Sequence, residues 1–369
     1  MSERLHVASR KGLFTLERSG GWHVARVDFL GDNCSAVLTD PRDGCVYAAL
    51  DHGHFGVKLH RAGGGGAAFE EITPPSYPEK ADDEEEWTDI HGRVVPNNLE
   101  LIWCLEAGHD RDAGSIWCGT VPGGLFRSGD AGDSWQLVES LWNDPLRRGW
   151  FGGGMDFPGI HSICVHPDDA ATLAVAVSCG GVWHTQDGGK SWRCLGDGLH
   201  ADYFPPEQAT NPAIQDVHRL VQCRARPEVF WLQHHNGIFR SDDGGGHYSE
   251  LSDAAPSAFG FAVAVHPQDA DTAWFVPQIK DEQRIPVDGC VVVLRTRDGG
   301  QSFERLTDGL PREHAYDICF RHALDVDASG ERLALGSTTG SLWISENGGD
   351  RWECVSSHLP PIYALRFTQ

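Results

Sequence analysis

Apolar residues along this chain come in short runs rich in Val, Ile, Leu, Phe and Trp, closed on either side by glycine and small polar residues. Leu5-His6-Val7-Ala8, Ser178-Cys179-Gly180-Gly181-Val182-Trp183 and Ile362-Tyr363-Ala364-Leu365-Arg366-Phe367 are examples. Runs of that length bounded by turn residues predict β-strands, and few stretches carry the longer period of an amphipathic helix. An eight-residue turn punctuates the pattern, first as Ser128-Gly129-Asp130-Ala131-Gly132-Asp133-Ser134-Trp135 and then four more times. The third positions of the copies are 130, 187, 243, 298 and 347, separated by 57, 56, 55 and 49 residues. A fixed period of this size marks a repeat architecture, so the chain is read in units.

Each copy has one physical logic. An Asp or Asn side chain caps backbone amides, glycine supplies positive φ, a hydroxyl closes the turn in most copies, and an aromatic residue plugs a core. The consensus S/T-x-D-x-G-x-S/T-W resembles the Asp-box of the bacterial neuraminidase repeat (BNR) β-propellers. Around these turns, six units repeat strand, short link, strand, glycine-led strand, turn, strand, beginning near Cys34, Leu99, His161, His218, Phe261 and Tyr316. The unit at Cys34 keeps only Gly63-Gly64-Gly65-Gly66 in place of the turn. Residues 4–28 lack a first strand, and residues 362–368 are a strand with nothing after it. Pairing the two ends gives a seventh unit, so the prediction is an all-β, seven-bladed propeller forming one domain over 1–369, with no open sheet edge at the seam.

With strands A to D counted outward from the axis, D-to-A and B-to-C connections share one face and the repeated turns lie on the other. The segments Thr73–Asn97, Glu139–Gly159, Gly196–Gln215, Thr307–Ala315 and Pro277–Gly289 are long, and all fall on the first face. Loops of that size in a compact fold are often functional. The acidic run Asp82-Asp83-Glu84-Glu85-Glu86 reads as solvated loop.

Alignment of the units puts His161 and His218 at one position, the start of the innermost strand, with Ser35, Tyr316 and Tyr363 at the same place in other blades. The end of strand B returns to the same mouth and carries Arg10, His54, Cys179, His235 and Thr338. Of His234 and His235 only one can face the channel, because neighbouring strand residues point oppositely. Glu106 lies further down an inner strand, and Asp216 precedes His218 by two residues. The candidate catalytic set is therefore His161, His218, His235, Glu106, Asp216 and Tyr316. Three readings of it stay open. Polar side chains line a wet channel by necessity. Alternatively His161, His218 and His235 hold a divalent metal, with Glu106, Asp216 or water completing the shell. In the third reading one histidine acts as a base without metal, and Arg10, Lys11 or Arg284 anchors an anionic substrate. His166 and His266, each before a proline, occupy the place of Asp40 and read as turn formers on the opposite face.

A net charge of −23 disfavours nucleic acid and anionic membrane as partners. No apolar run reaches signal-peptide or membrane-span length, and eleven cysteines without a CxxC read as reduced thiols, which together place the protein in the cytoplasm. The span from Trp142 to Trp352, with Gly152-Gly153-Gly154 and the closing Leu359-Pro360-Pro361, is similar to bacterial glycosyl-hydrolase-like and exo-sialidase-like BNR proteins. That resemblance implies a hydrolase or lyase acting on a small-molecule or carbohydrate-like ligand. Sialidases proper carry Arg-Ile-Pro at the start of a six-bladed ring, whereas Arg284-Ile285-Pro286 lies late here, so none of their catalytic residues is carried over. A resemblance to propellers that serve as assembly factors and sorting receptors implies the other class, a non-catalytic binding scaffold.

Overall fold

The computed structural model describes residues 1–80 and 85–368. Most of the acidic run from Asp82 lies outside the described residues. Seven four-stranded antiparallel sheets form a ring in which each sheet is one blade. The innermost strands are Ile362–Phe367, Asn33–Thr39, Leu101–Ala107, Gly159–Val165, Val217–Gln222, Gly260–Val265 and Leu324–Val326, for blades 1 to 7 in that order. Successive inner strands touch all the way round, Leu324–Val326 meeting Ile362–Phe367 to complete the circle. Blade 1 is the composite that the two half-units predict. Ile362–Phe367 pairs antiparallel with Arg4–Ser9 in the register Leu5↔Phe367 and Ala8↔Ala364, so that Arg4–Ser9 has no free inner edge.

Apolar burial is divided among separate clusters between neighbouring blades, as expected when each sheet covers both faces of the next. Trp150, Trp183, Trp231 and Trp274 are fully buried among them. The repeated turns behave as local devices. In the second, Asp187 accepts from the Ser191 amide at 2.9 Å and the Ser191 hydroxyl at 2.6 Å, while Thr185 Oγ1 accepts from the Gly189 amide at 3.0 Å. Gly189 has φ 85°, the left-handed region that glycine enters without strain. Trp192 then packs against Ser140 and is buried. Asp130, Asp243, Asp298 and Asn347 repeat the amide contact. His166 and His266 are turn formers, each accepting from a backbone amide two residues on.

One unit departs from the sequence reading. The inner strand of blade 7 begins at Leu324, not near Tyr316. Residues 316–323 leave the ladder, although Ile318 still accepts from Thr338 N, and a turn from Phe320 to Ala323 brings Arg321 and His322 into the channel. Tyr316 is left on the surface, 62% exposed. No helix among the described residues is long and apolar enough to cross a membrane, and the eleven cysteines are free.

Candidate functional site

A recurrent bulge sets the inner wall. In the A–B pairing of blades 2 to 5, register shifts at Ser35, Trp103, His161 and His218, each of which is the extra residue between two paired neighbours. Blade 6 bulges at the same place, around Phe261. A bulge residue is released from the ladder and its side chain is re-aimed, and from these positions Ser35, Trp103, His218 and Phe261 line cavities at the mouth of the channel. Near the end of strand B in blade 5 the chain turns at His234, and His235 faces the mouth while His234 packs against Phe239.

These elements enclose a cavity of about 120 Å³ on the long-loop face. Its wall holds Asp216, His218 and His235 from blade 5, Cys179 from blade 4, Arg321 from blade 7, and Tyr203, Asp281 and Arg284 from the rim loops. Asp216 Oδ2 lies 3.4 Å from His218 Nε2 and 3.3 Å from His235 Nδ1. One ligand atom from each of the three falls within 4.8 Å of the other two. His218 donates its Nδ1 proton to the Gly260 carbonyl at 2.6 Å, which fixes the tautomer and leaves Nε2 aimed at the cavity. The ring stacks on Phe261 at 4.8 Å. Burial would raise the Asp216 pKa, but the charges and hydrogen bonds of His218 and His235, with Arg321 beyond them, hold the carboxyl well below its usual range. Burial lowers His218, and the carboxylate only partly offsets this. His235 is less buried, so the pull of Asp216 exceeds the desolvation and its pKa is raised.

The glycine run 152–154 is part of the wall. A Cβ on Gly153 would lie 2.6 Å from Cys179 Sγ and 3.2 Å from Asp216 Oδ1, and one on Gly154 would lie 2.6 Å from Arg321 Nη2. None of the three has positive φ, so close approach is what makes glycine necessary here.

The structure thus brings together Asp216, His218 and His235 and leaves out the other candidates. His161 is fully buried, with Nε2 on the Val217 carbonyl at 2.8 Å and Nδ1 on Ser162 Oγ at 2.9 Å, so both nitrogens are engaged. Burial and the nearby Arg321 and His322 hold it neutral far below the usual imidazole range. The expected three-imidazole set is therefore corrected to two imidazoles and the Asp216 carboxylate. Glu106 binds Arg366 at 2.8 Å and lines a different cavity with Asp325 and Arg219, deeper along the channel. Tyr316, in irregular backbone, and His54, in the short 3-10 helix Gly53–Phe55, are exposed outside the cavity. Of the proposed anchors Arg284 lines the cavity, whereas Arg10 and Lys11 do not. Sequence reasoning missed Arg321, Ser178 and Tyr203. Only Ser178 had a signal, in the Ser178–Trp183 segment.

The class defined is a seven-bladed propeller with a buried carboxylate and two imidazoles at one mouth. The chain matches no protein-family profile and no curated protein sequence. Among solved structures it is similar to the GH74 xyloglucanase of Xanthomonas campestris, with a TM-score of 0.65 at 16% identity over 96% of this chain and 53% of that one. It spans only about half of that enzyme's length. YCF48 from Cyanidioschyzon merolae aligns at a TM-score of 0.53 and 12% identity, over 89% of this chain and 87% of that one. A chain of the COPII outer coat vertex aligns at 0.55 and 12%, over 95% and 81%. At identities this low the likeness shows the propeller fold alone.

Proposed function

We propose that this protein is a BNR/Asp-box propeller of the cytoplasm whose cavity at the loop-face mouth is the active site of a hydrolase or lyase acting on a small polar or carbohydrate-like substrate. The observation that carries the reading is the convergence of Asp216, His218 and His235 within 4.8 Å in a buried position. Asp216 Oδ2, His218 Nε2 and His235 Nδ1 would hold a divalent cation, a donor set suited to zinc, manganese or iron. Such a cation supplies a water of lowered pKa as nucleophile. The Gly260 carbonyl orients His218, and Ser178 Oγ, 3.3 Å from Asp216 Oδ1, orients the carboxylate. A cavity of about 120 Å³ is below the usual ligand-pocket range of roughly 300–1,000 Å³, which argues for a small molecule or a terminal group over a polysaccharide. Glycosidase chemistry by two carboxylates needs one of them protonated near neutrality. Asp216 is held too acidic for that role.

The test is elemental analysis after incubation with zinc or manganese and desalting. The wild-type protein is expected to retain one equivalent and His218→Ala none, with retention falling as pH drops and His235, whose pKa is raised, protonates first. A wild-type protein that retains no cation refutes the metal and leaves His235 as a metal-free acid–base group. The similarity to YCF48 and the breadth of the loop rim favour a second reading, a binding or assembly propeller without catalysis.

A further inference from the structure

Arg321 is unusual among the arginines of this chain. Its side chain is deeply buried, 7% of the residue remaining exposed, yet among the described residues no carboxylate lies within the 4.0 Å of an ion pair. Among the same residues its Nε has no hydrogen-bond partner, and its one hydrogen bond is a long contact of 3.5 Å from Nη2 to Ser178 Oγ. Three other deeply buried arginines of the blades, Arg240, Arg295 and Arg332, each meet two carboxylates. Burying an unpaired charge is costly, and a guanidinium so placed is most readily completed by an anion.

The surroundings have the shape of a seat for one. The guanidinium carbon lies 5.0 Å from the Trp103 ring centre and 5.7 Å from that of Phe261, so aromatic rings hold the group without neutralising it. Gly154, whose missing Cβ would lie 2.6 Å from Nη2, leaves the fork open to the cavity. Arg284 sits 5.4 Å from Phe261 on the same wall but is ion-paired to Asp281, so among the described residues Arg321 is the guanidinium of this wall without a carboxylate partner. Ser178 Oγ bridges Arg321 to Asp216, 3.5 and 3.3 Å away, so the guanidinium and the carboxylate are separated by two hydrogen-bond lengths at most. Beyond Arg321 and Gly154, which it shares, a second cavity of about 270 Å³ opens toward Trp103, Phe320 and Tyr363.

We propose that the ligand of this site is a small oxyanion-bearing molecule, its carboxylate or phosphate held by the fork of Arg321 and its reacting carbon within two or three bonds of that group, beside Asp216, His218 and His235. The remainder of the molecule extends into the larger cavity past Trp103. This deepens the reading of the cavity as an active site and rests on it, but requires no metal.

The experiment is calorimetric titration of protein stripped with EDTA, using malonate, inorganic phosphate and the neutral malonamide as probes. Malonate or phosphate is expected to bind and malonamide not. The Arg321→Met variant, which keeps the apolar stem, should bind the anion at least tenfold more weakly. Preference between malonate and phosphate identifies the head group. Gly154→Ala, which changes no polar group and sits at an exposed position, should weaken anion binding likewise, so the proposal stays testable should Arg321→Met fold poorly. Equal binding of malonate and malonamide, no anion binding by the wild type, or undiminished binding by Arg321→Met overturns it. Anion binding in a protein that retains no zinc or manganese leaves the proposal standing and removes the metal, so the two failures are distinct.

Discussion

The two faces of the propeller use polar residues in opposite ways. On the turn face each Asp or Asn finds its partners within four residues along the chain, as Asp187 does in Thr185 and Ser191. On the loop face Asp216, Arg321, Gly153 and Asp281 reach one cavity from different blades and loops. The first arrangement closes on itself and holds strands C and D together. The second leaves a guanidinium without a counterion and imidazole nitrogens facing a cavity. Local closure is what a fold needs, and convergence without closure is what a ligand needs.

The contrast can be broken from the stability side. Both faces presuppose a closed ring, so deleting residues 360–369, which removes the inner strand of blade 1, should abolish cooperative thermal unfolding and expose two sheet edges. A truncated protein that melts like the intact one would refute the closure. Next in size, Trp192→Ala removes a buried anchor of the turn face. It should cost roughly 3–5 kcal/mol in denaturant unfolding while leaving malonate and zinc affinity unchanged in the folded fraction.

A pH series sharpens the same point. His184, buried beneath the Gly245 turn, is lowered by burial to about 4. Its unfolded value is about 6.5, so the stability it contributes is present above pH 6.5 and is lost as pH falls toward 4. Between pH 7 and pH 5 this amounts to roughly 2 kcal/mol, and His184→Phe should flatten that part of the stability profile. Smallest in stability and largest in function is Asp216→Asn. The substitution removes the charge that His218, His235 and Arg321 stabilise, so it is expected to cost about 1–2 kcal/mol of unfolding free energy and to abolish cation retention. A large loss of stability would instead make Asp216 a structural group like Asp187.

What the sequence disclosed follows this division. Seven blades and the seam at Ile362–Phe367 were legible because the repeated turns are local and periodic, so spacing alone locates the strands. The place of His161 and His218 was legible too, both occupying the bulge that starts strand A. Their roles were not. His161 spends Nε2 on the next blade's carbonyl and Nδ1 on Ser162, whereas His218 spends Nδ1 on the corresponding carbonyl and keeps Nε2 for the cavity. That choice belongs to neighbours in space, which spacing does not encode. Arg321 was hidden for a different reason, since the detour of residues 316–323 breaks the period at the point where it delivers the guanidinium.

The glycines at 153 and 154 carry a consequence for sorting propellers of this kind. Their conformations are open to any residue, and a methyl group at either position would meet the site itself. A chain with the five turns intact and a larger residue at 153 or 154 would therefore keep the ring and forfeit the seat beside Arg321. The turns tell which chains fold this way. The glycine pair separates those able to bind the same ligand from those that share only the architecture.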